Sequence, residues 1–191
     1  TSCYIKCHHP EIFVASLLNA QPMGFYSPRA LIADAQRHGV KFRGVDVQRS
    51  EYDYLIEEGE VRAGFRAVYG FREKHVQSLV KARREGGPFH DLADFVRRSG
   101  LNKSGLMQLA ASGALDSLGL EPRQALWKIQ ALSLDPHSLF FARAEERADD
   151  HGLLPSEGEW RTLEREYETQ GFSLVRHPWG CCARRSSAGR K

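Results

Sequence analysis

The chain has 191 residues, 41% of them hydrophobic and 27% charged, with a formal net charge of +3. That balance fits one good globular domain or two small ones and excludes a disordered chain. No apolar run approaches the ~20 residues of a membrane span and no signal peptide is present, so no membrane partner and a cytoplasmic location are expected. The chain begins at Thr1 rather than Met, which fits a piece of something longer.

Near the start, Cys3, Cys7, His8 and His9 lie close together. Structural zinc sites pair such a cluster with a second, distant knuckle. None is present, and the adjacent Cys181 and Cys182 are poorly spaced for joint ligation, so incidental reduced thiols and no metal are expected. Residues Ile12 to Leu18 form an apolar helical run after Pro10, which the Pro22–Pro28 stretch breaks. A second helix is expected from Arg29 to His38, with Pro28 in its first turn, Ser27 as cap and Gly39 as stop. Val45-Asp46-Val47 reads as a short strand. Tyr52, Tyr54 and Ile56 alternate with polar neighbours, and Glu58-Gly59 turns the chain before Val61, which predicts a two-stranded hairpin.

The stretch from Val61 to Pro88 is the most informative. It reads as two short helices joined by a tight Tyr69-Gly70-Phe71-Arg72 turn, the pattern of a helix-hairpin-helix. Val76, Leu79, Val80 and Arg83 recur at helical spacing, so one face is apolar and the other charged. Gly70 supplies the backbone freedom that so short a turn requires. Unpaired backbone N–H groups at the start of the second helix, where the helix dipole is positive, make an anion site that suits a nucleic-acid phosphate. Phosphates carry no sequence information, so such a module grips DNA without reading it. From Val61 to Lys103, ten lysines and arginines face four acids, a local charge of +6. Backbone-directed DNA binding needs charge concentrated in this way.

After Gly86-Gly87-Pro88, the residues Phe89, Leu92, Phe95 and Val96 recur at helical spacing. Asn102 is a candidate cap for a helix over Lys103 to Ala111, with Leu106, Leu109 and Ala110 inward. Ser112-Gly113-Ala114 then turns into Leu115-Asp116-Ser117-Leu118, a second, degenerate helix-glycine-helix unit, and a helix follows over Arg123 to Leu132. Two such units in tandem can place two phosphate-binding turns side by side. The candidate phosphate contacts are therefore Tyr69, Gly70, Phe71, Arg72, Lys74, Lys103, Ser112, Gly113 and Ala114. From Ser133 to Gln170, ten acids face four arginines, a charge of −6 that predicts a linker with helical pieces lying away from DNA. The basic stretch from Arg184 to Lys191 has almost nothing apolar to bury and is expected to be disordered.

The order of segments resembles a known family. LLNAQPMGFYSPRALIADAQRHGVKFRGVDVQRS, then RAGFRAVYGF, GGPFHDLADFVRR and LNKSGLMQLAASGALDSLG, are similar to the bacterial C-family replicative DNA polymerases, relatives of the DNA polymerase III alpha subunit. QPMGFYSP looks most like their error-prone, damage-inducible branch. The resemblance runs from Thr1 to Leu132 and returns at Tyr167 to Leu174 and His177-Pro178. It implies that residues 1–50 end the fingers region and 51–60 form a β-hairpin connector. Residues 61–132 would be a tandem helix-hairpin-helix holding duplex primer-template DNA, and 133–178 an acidic linker toward an oligonucleotide-binding barrel. Residues 179–191 depart from the family. The palm aspartates that hold two metal ions lie before this region in the family, so no catalytic residue carries over, no cofactor is assigned here, and Mg2+ serves the longer parent. The family often has Gly-x-Gly in the first hairpin, whereas Arg72 occupies the second glycine position here. A cation there opposes the helix dipole but can meet a phosphate directly.

The expected fold is mainly α, with fingers-end helices, a tandem helix-hairpin-helix and one small β-hairpin. Three functions fit: a piece of an error-prone polymerase that contributes duplex binding, an independent helix-hairpin-helix repair accessory protein, and a helical interaction domain that binds no DNA. The fingers-like first ~50 residues favour the first, because a free-standing binding module has no use for them.

Overall fold

A computed structural model describes residues 2–24, 26–131 and 158–174. Three helices open the chain: α1 (Ser2–His8), α2 (Pro10–Asn19) and α3 (Pro28–Arg37). α2 buries Val14, Ala15 and Leu18. α3 starts as its sequence predicts, with Ser27 Oγ accepting from the Ala30 N–H, and stops before Gly39 at a φ of +86°.

A small sheet follows, made of β1 (Phe42–Arg43), β2 (Leu55–Glu57) and β3 (Glu60–Arg62) in the order β1-β3-β2. The expected hairpin is β2–β3, antiparallel, turning at Glu58 and Gly59, both with positive φ as a two-residue hairpin requires. The expected strand at Val45-Asp46-Val47 is not one. The strand lies earlier, at Phe42–Arg43, where it pairs in parallel with β3. Val45 and Val47 are buried side chains in an irregular loop. Asp46 holds that loop by accepting from the Gln48 N–H and the Ser117 hydroxyl. Alternation of apolar residues recorded burial there, without a ladder partner.

The remaining elements are helical: α4 (Glu73–Gly86), α5 (Leu92–Ser99), α6 (Lys103–Ala111), α7 (Pro122–Ala131) and α8 (Glu159–Gln170). Asn102 caps α6 through the Gly105 N–H, and Leu106, Leu109 and Ala110 are fully buried. In front of the first hairpin, a single 3₁₀ turn at Phe65–Ala67 replaces the expected short helix. One continuous core runs from α2 through the sheet to α7, centred on Leu18, Val61, Phe65, Leu79, Phe95, Leu106 and Ile129. The structure is thus mostly helical with a three-stranded sheet.

Buried and half-buried arginines tie the pieces together. Arg66 donates to the Asn19 and Gln21 carbonyls and to Asp53, fixing the end of α2. Arg83 donates to the Ser50 carbonyl at 2.9 Å, and its burial lowers its pKa. Arg98 donates to the Ala82, Gly87 and Pro88 carbonyls and to Asp94, with its guanidinium over the Phe89 ring. Arg62 is nearly enclosed, paired with Glu57. The expected charge concentration at 61–103 is therefore partly structural. The expected linker pieces and tail at 132–157 and 175–191 lie outside the described residues, whereas α8 docks on the hairpin region.

Candidate nucleic-acid interface

The first hairpin rests on aromatic packing. Phe71 is buried, 5.8 Å from the Phe65 ring and 5.5 Å from His75 between centroids. That anchor turns the chain sharply at Gly70, whose φ is +73°, and a Cβ there would lie 2.9 Å from Gln108 Nε2. Arg72 then takes the extended conformation of an N-cap without any capping side chain. The Tyr69 N–H donates to the Thr169 carbonyl at 2.8 Å, and the Phe71 N–H to the Val68 carbonyl at 3.2 Å. The N–H groups of Gly70 and Arg72 find no acceptor among the described residues. Those of Glu73 and Lys74 lack one by helix geometry. The 14-residue α4 behind them points its positive dipole end at the same spot. The Arg72 and Lys74 side chains are exposed there, without a partner among the described residues.

The start of α6 abuts this corner. A Cβ on Gly105 would lie 3.6 Å from the Phe71 ring and 3.7 Å from His75 Nδ1. Lys103 opens α6, and its ammonium donates to the Gln130 carbonyl at 3.3 Å. Of the predicted contacts, the structure thus brings together Tyr69, Gly70, Phe71, Arg72 and Lys74, with Lys103 on the adjoining helix.

The second turn is different. Gly113 has the expected positive φ of +78°, but its donors are used internally. The Ser112, Gly113 and Ala114 N–H groups donate to the Gln108, Ala110 and Leu109 carbonyls. The turn is followed by a three-residue 3₁₀ piece at Asp116–Leu118, too short to build a dipole, and it opens with an acid. Ser112 and Ala114 are buried. α8 covers the turn: Gln170 Nε2 donates to the Ser112 carbonyl at 3.1 Å and Arg165 Nη1 to the Ala111 carbonyl at 2.9 Å.

Beside this turn is a cavity of about 510 Å³, walled in part by Asp46, Asp116, Glu121 and Glu166 as well as Arg62, Arg123 and Arg165. Burial raises the Asp116 pKa, with Arg165 pulling the other way. Burial likewise raises that of Glu166, against a Ser173 hydrogen bond and the Arg165 charge. This mixed, acid-rich wall differs from the cationic corner at Arg72 and Lys74. Among the described residues, no group of three or more His, Cys, Asp or Glu side chains is arranged to hold a metal ion. No helix among them is long and apolar enough to cross a membrane.

Sequence reasoning missed the contribution of α8. Its signal was present in the family-like Tyr167 to Leu174 stretch, where a buried glutamine precedes a glycine at a φ of +77°.

A sharp glycine turn, an uncapped helix start and a cationic corner make a helix-hairpin-helix motif. A family model described as "Helix-hairpin-helix motif" matches residues 39–125, starting upstream of the sheet. Within that class, the chain is 44% identical over 187 residues to "Error-prone DNA polymerase" of Bdellovibrio bacteriovorus, a match covering 93% of this chain. It is 41% identical over 191 residues to "Error-prone DNA polymerase 2" of Agrobacterium fabrum, and 39% identical over 199 residues to "Error-prone DNA polymerase" of Azoarcus sp.. It spans about 18% of the length of each of these curated relatives. By sequence, the chain corresponds to one stretch of the bacterial error-prone DNA polymerases of the C-family type, as its segment order suggested.

Proposed function

We propose that this chain supplies a sequence-independent grip on duplex DNA within a longer error-prone polymerase, with the primer-template duplex as ligand and the other polymerase domains as partners. The observation that carries this reading is the uncapped start of α4. Four backbone N–H groups, from Gly70 and Arg72 to Lys74, meet two exposed cations at the positive end of a 14-residue helix. A phosphate oxygen seated there accepts from the backbone N–H groups, while Arg72 and Lys74 offset its charge. Glu73 in the first turn shares the dipole and limits the strength of the contact. A phosphate clamp of this kind supports affinity without base readout.

The reading extends to the parent as templated nucleotide addition past damaged bases during repair, by two-metal phosphoryl transfer with Mg2+ in the cytoplasm. No residue of this chain is assigned to metal or nucleotide, and the residues here bind and orient the duplex.

The test is fluorescence anisotropy on two duplexes of unrelated sequence across a series of salt concentrations. Arg72→Ala and Lys74→Ala are each expected to weaken binding equally on both duplexes and to lower the salt slope by about one unit. Arg83→Gln removes a cation that the fold uses internally, so it should lower thermal stability and leave the slope intact. Unchanged affinity in both Arg72→Ala and Lys74→Ala would contradict the reading.

A further inference from the structure

The last turn of α8 touches both hairpins at once. Thr169 presents its carbonyl to the Tyr69 N–H of the first, and the adjacent Gln170 donates from its side chain to the Ser112 carbonyl of the second. Gln170 is only 6% exposed, so this is a seated polar contact. Gly171 completes the fit. The Tyr69 ring lies across its backbone so closely that a Cβ there would stand 1.9 Å from Tyr69 Oη and 2.8 Å from Cζ. On its other side α8 is fixed to α3, with the Arg29 guanidinium 4.9 Å from the Tyr167 ring centroid and Gln36 Nε2 donating to the Leu174 carbonyl at 3.0 Å. The turn at 169–171 is therefore a bridge, tied to α3 from behind and in contact with both hairpins.

We propose that this bridge positions the phosphate corner, so that Thr169, Gln170 and Gly171 set duplex affinity without touching DNA. The inference rests on the reading of the first hairpin as the DNA grip. Its physical content is local. Tyr69 directly precedes Gly70, so holding its N–H on the Thr169 carbonyl, with its half-exposed ring against Gly171, fixes the entry to the turn and the direction of the Gly70 and Arg72 N–H groups. The orphan carbonyl of Thr169 at the α8 C-terminus gains a donor in the same contact. Coupling through packed contacts of this kind changes a distant equilibrium by roughly 0.5–2 kcal/mol, or about two- to thirtyfold.

The experiment is a mutant cycle on the full chain with a short duplex. Gly171→Ala is expected to weaken binding by about three- to tenfold. Gly100→Ala supplies a matched control, because Gly100 also has a positive φ, +61°, with open space around the added Cβ. It should lose comparable stability and keep wild-type affinity. In an Arg72→Ala/Lys74→Ala background, Gly171→Ala should still weaken binding, because the backbone N–H groups that the bridge aims remain. Gln170→Ala, a milder change, should speed hydrogen exchange at the Tyr69 amide and weaken binding in parallel. Wild-type affinity in folded Gly171→Ala, or an equal loss in Gly100→Ala, would overturn the proposal. Unchanged affinity in the Arg72→Ala/Lys74→Ala variant itself would instead overturn the reading of the first hairpin as the grip.

Discussion

The two hairpins share one device, a glycine in the left-handed region, at φ +73° for Gly70 and +78° for Gly113, yet they use their backbones in opposite ways. Around Gly70, several donors stay open at the head of a 14-residue helix. Around Gly113, each predicted donor is committed inside the turn, a three-residue 3₁₀ piece follows, and α8 closes over the top. A glycine turn thus specifies a change of chain direction. Whether that turn can hold an anion depends on the length of the helix behind it and on what packs across it. One turn became a cationic corner and the other a socket for a returning helix.

The comparison can be broken at its foundation first. Phe65, fully buried, supports the first hairpin through Phe71. Phe65→Ala is expected to cost about 3–5 kcal/mol in denaturant unfolding. A cost below about 1 kcal/mol would mean that the hairpin is not seated on the core.

A more discriminating pair is Gly70→Val and Gly113→Val. Each forces a side chain into a left-handed position, at about 1–3 kcal/mol of stability. Gly70→Val, which also displaces Gln108, should reduce duplex affinity measured below the unfolding transition much more than Gly113→Val does. Equal affinity losses would erase the distinction between the turns.

The smallest expected effect concerns acidity at the second turn. Burial raises the Glu166 pKa above its ordinary 4.5, so folding favours its protonated form. Its contribution is fully present below 4.5 and is lost as pH rises through the raised folded value. Glu166→Gln removes this loss. Thermal melts at pH 4.5 and 7 should show the variant gaining on the wild type as pH rises, and parallel curves would remove Glu166 from the account.

Much of the fold was legible because local signals agreed with one another. Ser27 and Asn102 capped the helices they were expected to cap, and Glu58-Gly59 carries the two positive φ values that fix its hairpin. The Val45–Val47 stretch misled because alternating burial arises in a loop pinned by Asp46 as readily as in a strand. Net charge over 61–103 overstated the cationic surface, because counting cannot separate Arg83 and Arg98, which donate to backbone carbonyls, from Arg72 and Lys74, which reach solvent. The second turn was unreadable for a related reason. Its fate depends on Arg165 and Gln170, more than 50 residues later, with an acidic stretch between.

The most direct test follows backbone amides by 15N NMR while a short duplex is added at low salt. The account predicts the largest shifts at Gly70, Arg72, Glu73 and Lys74, shared by duplexes of unrelated sequence, with Ser112, Gly113 and Ala114 nearly unmoved. Shifts at Ser112–Ala114 as large as those at Gly70–Lys74, or none at Gly70–Lys74 under saturating duplex, would contradict it.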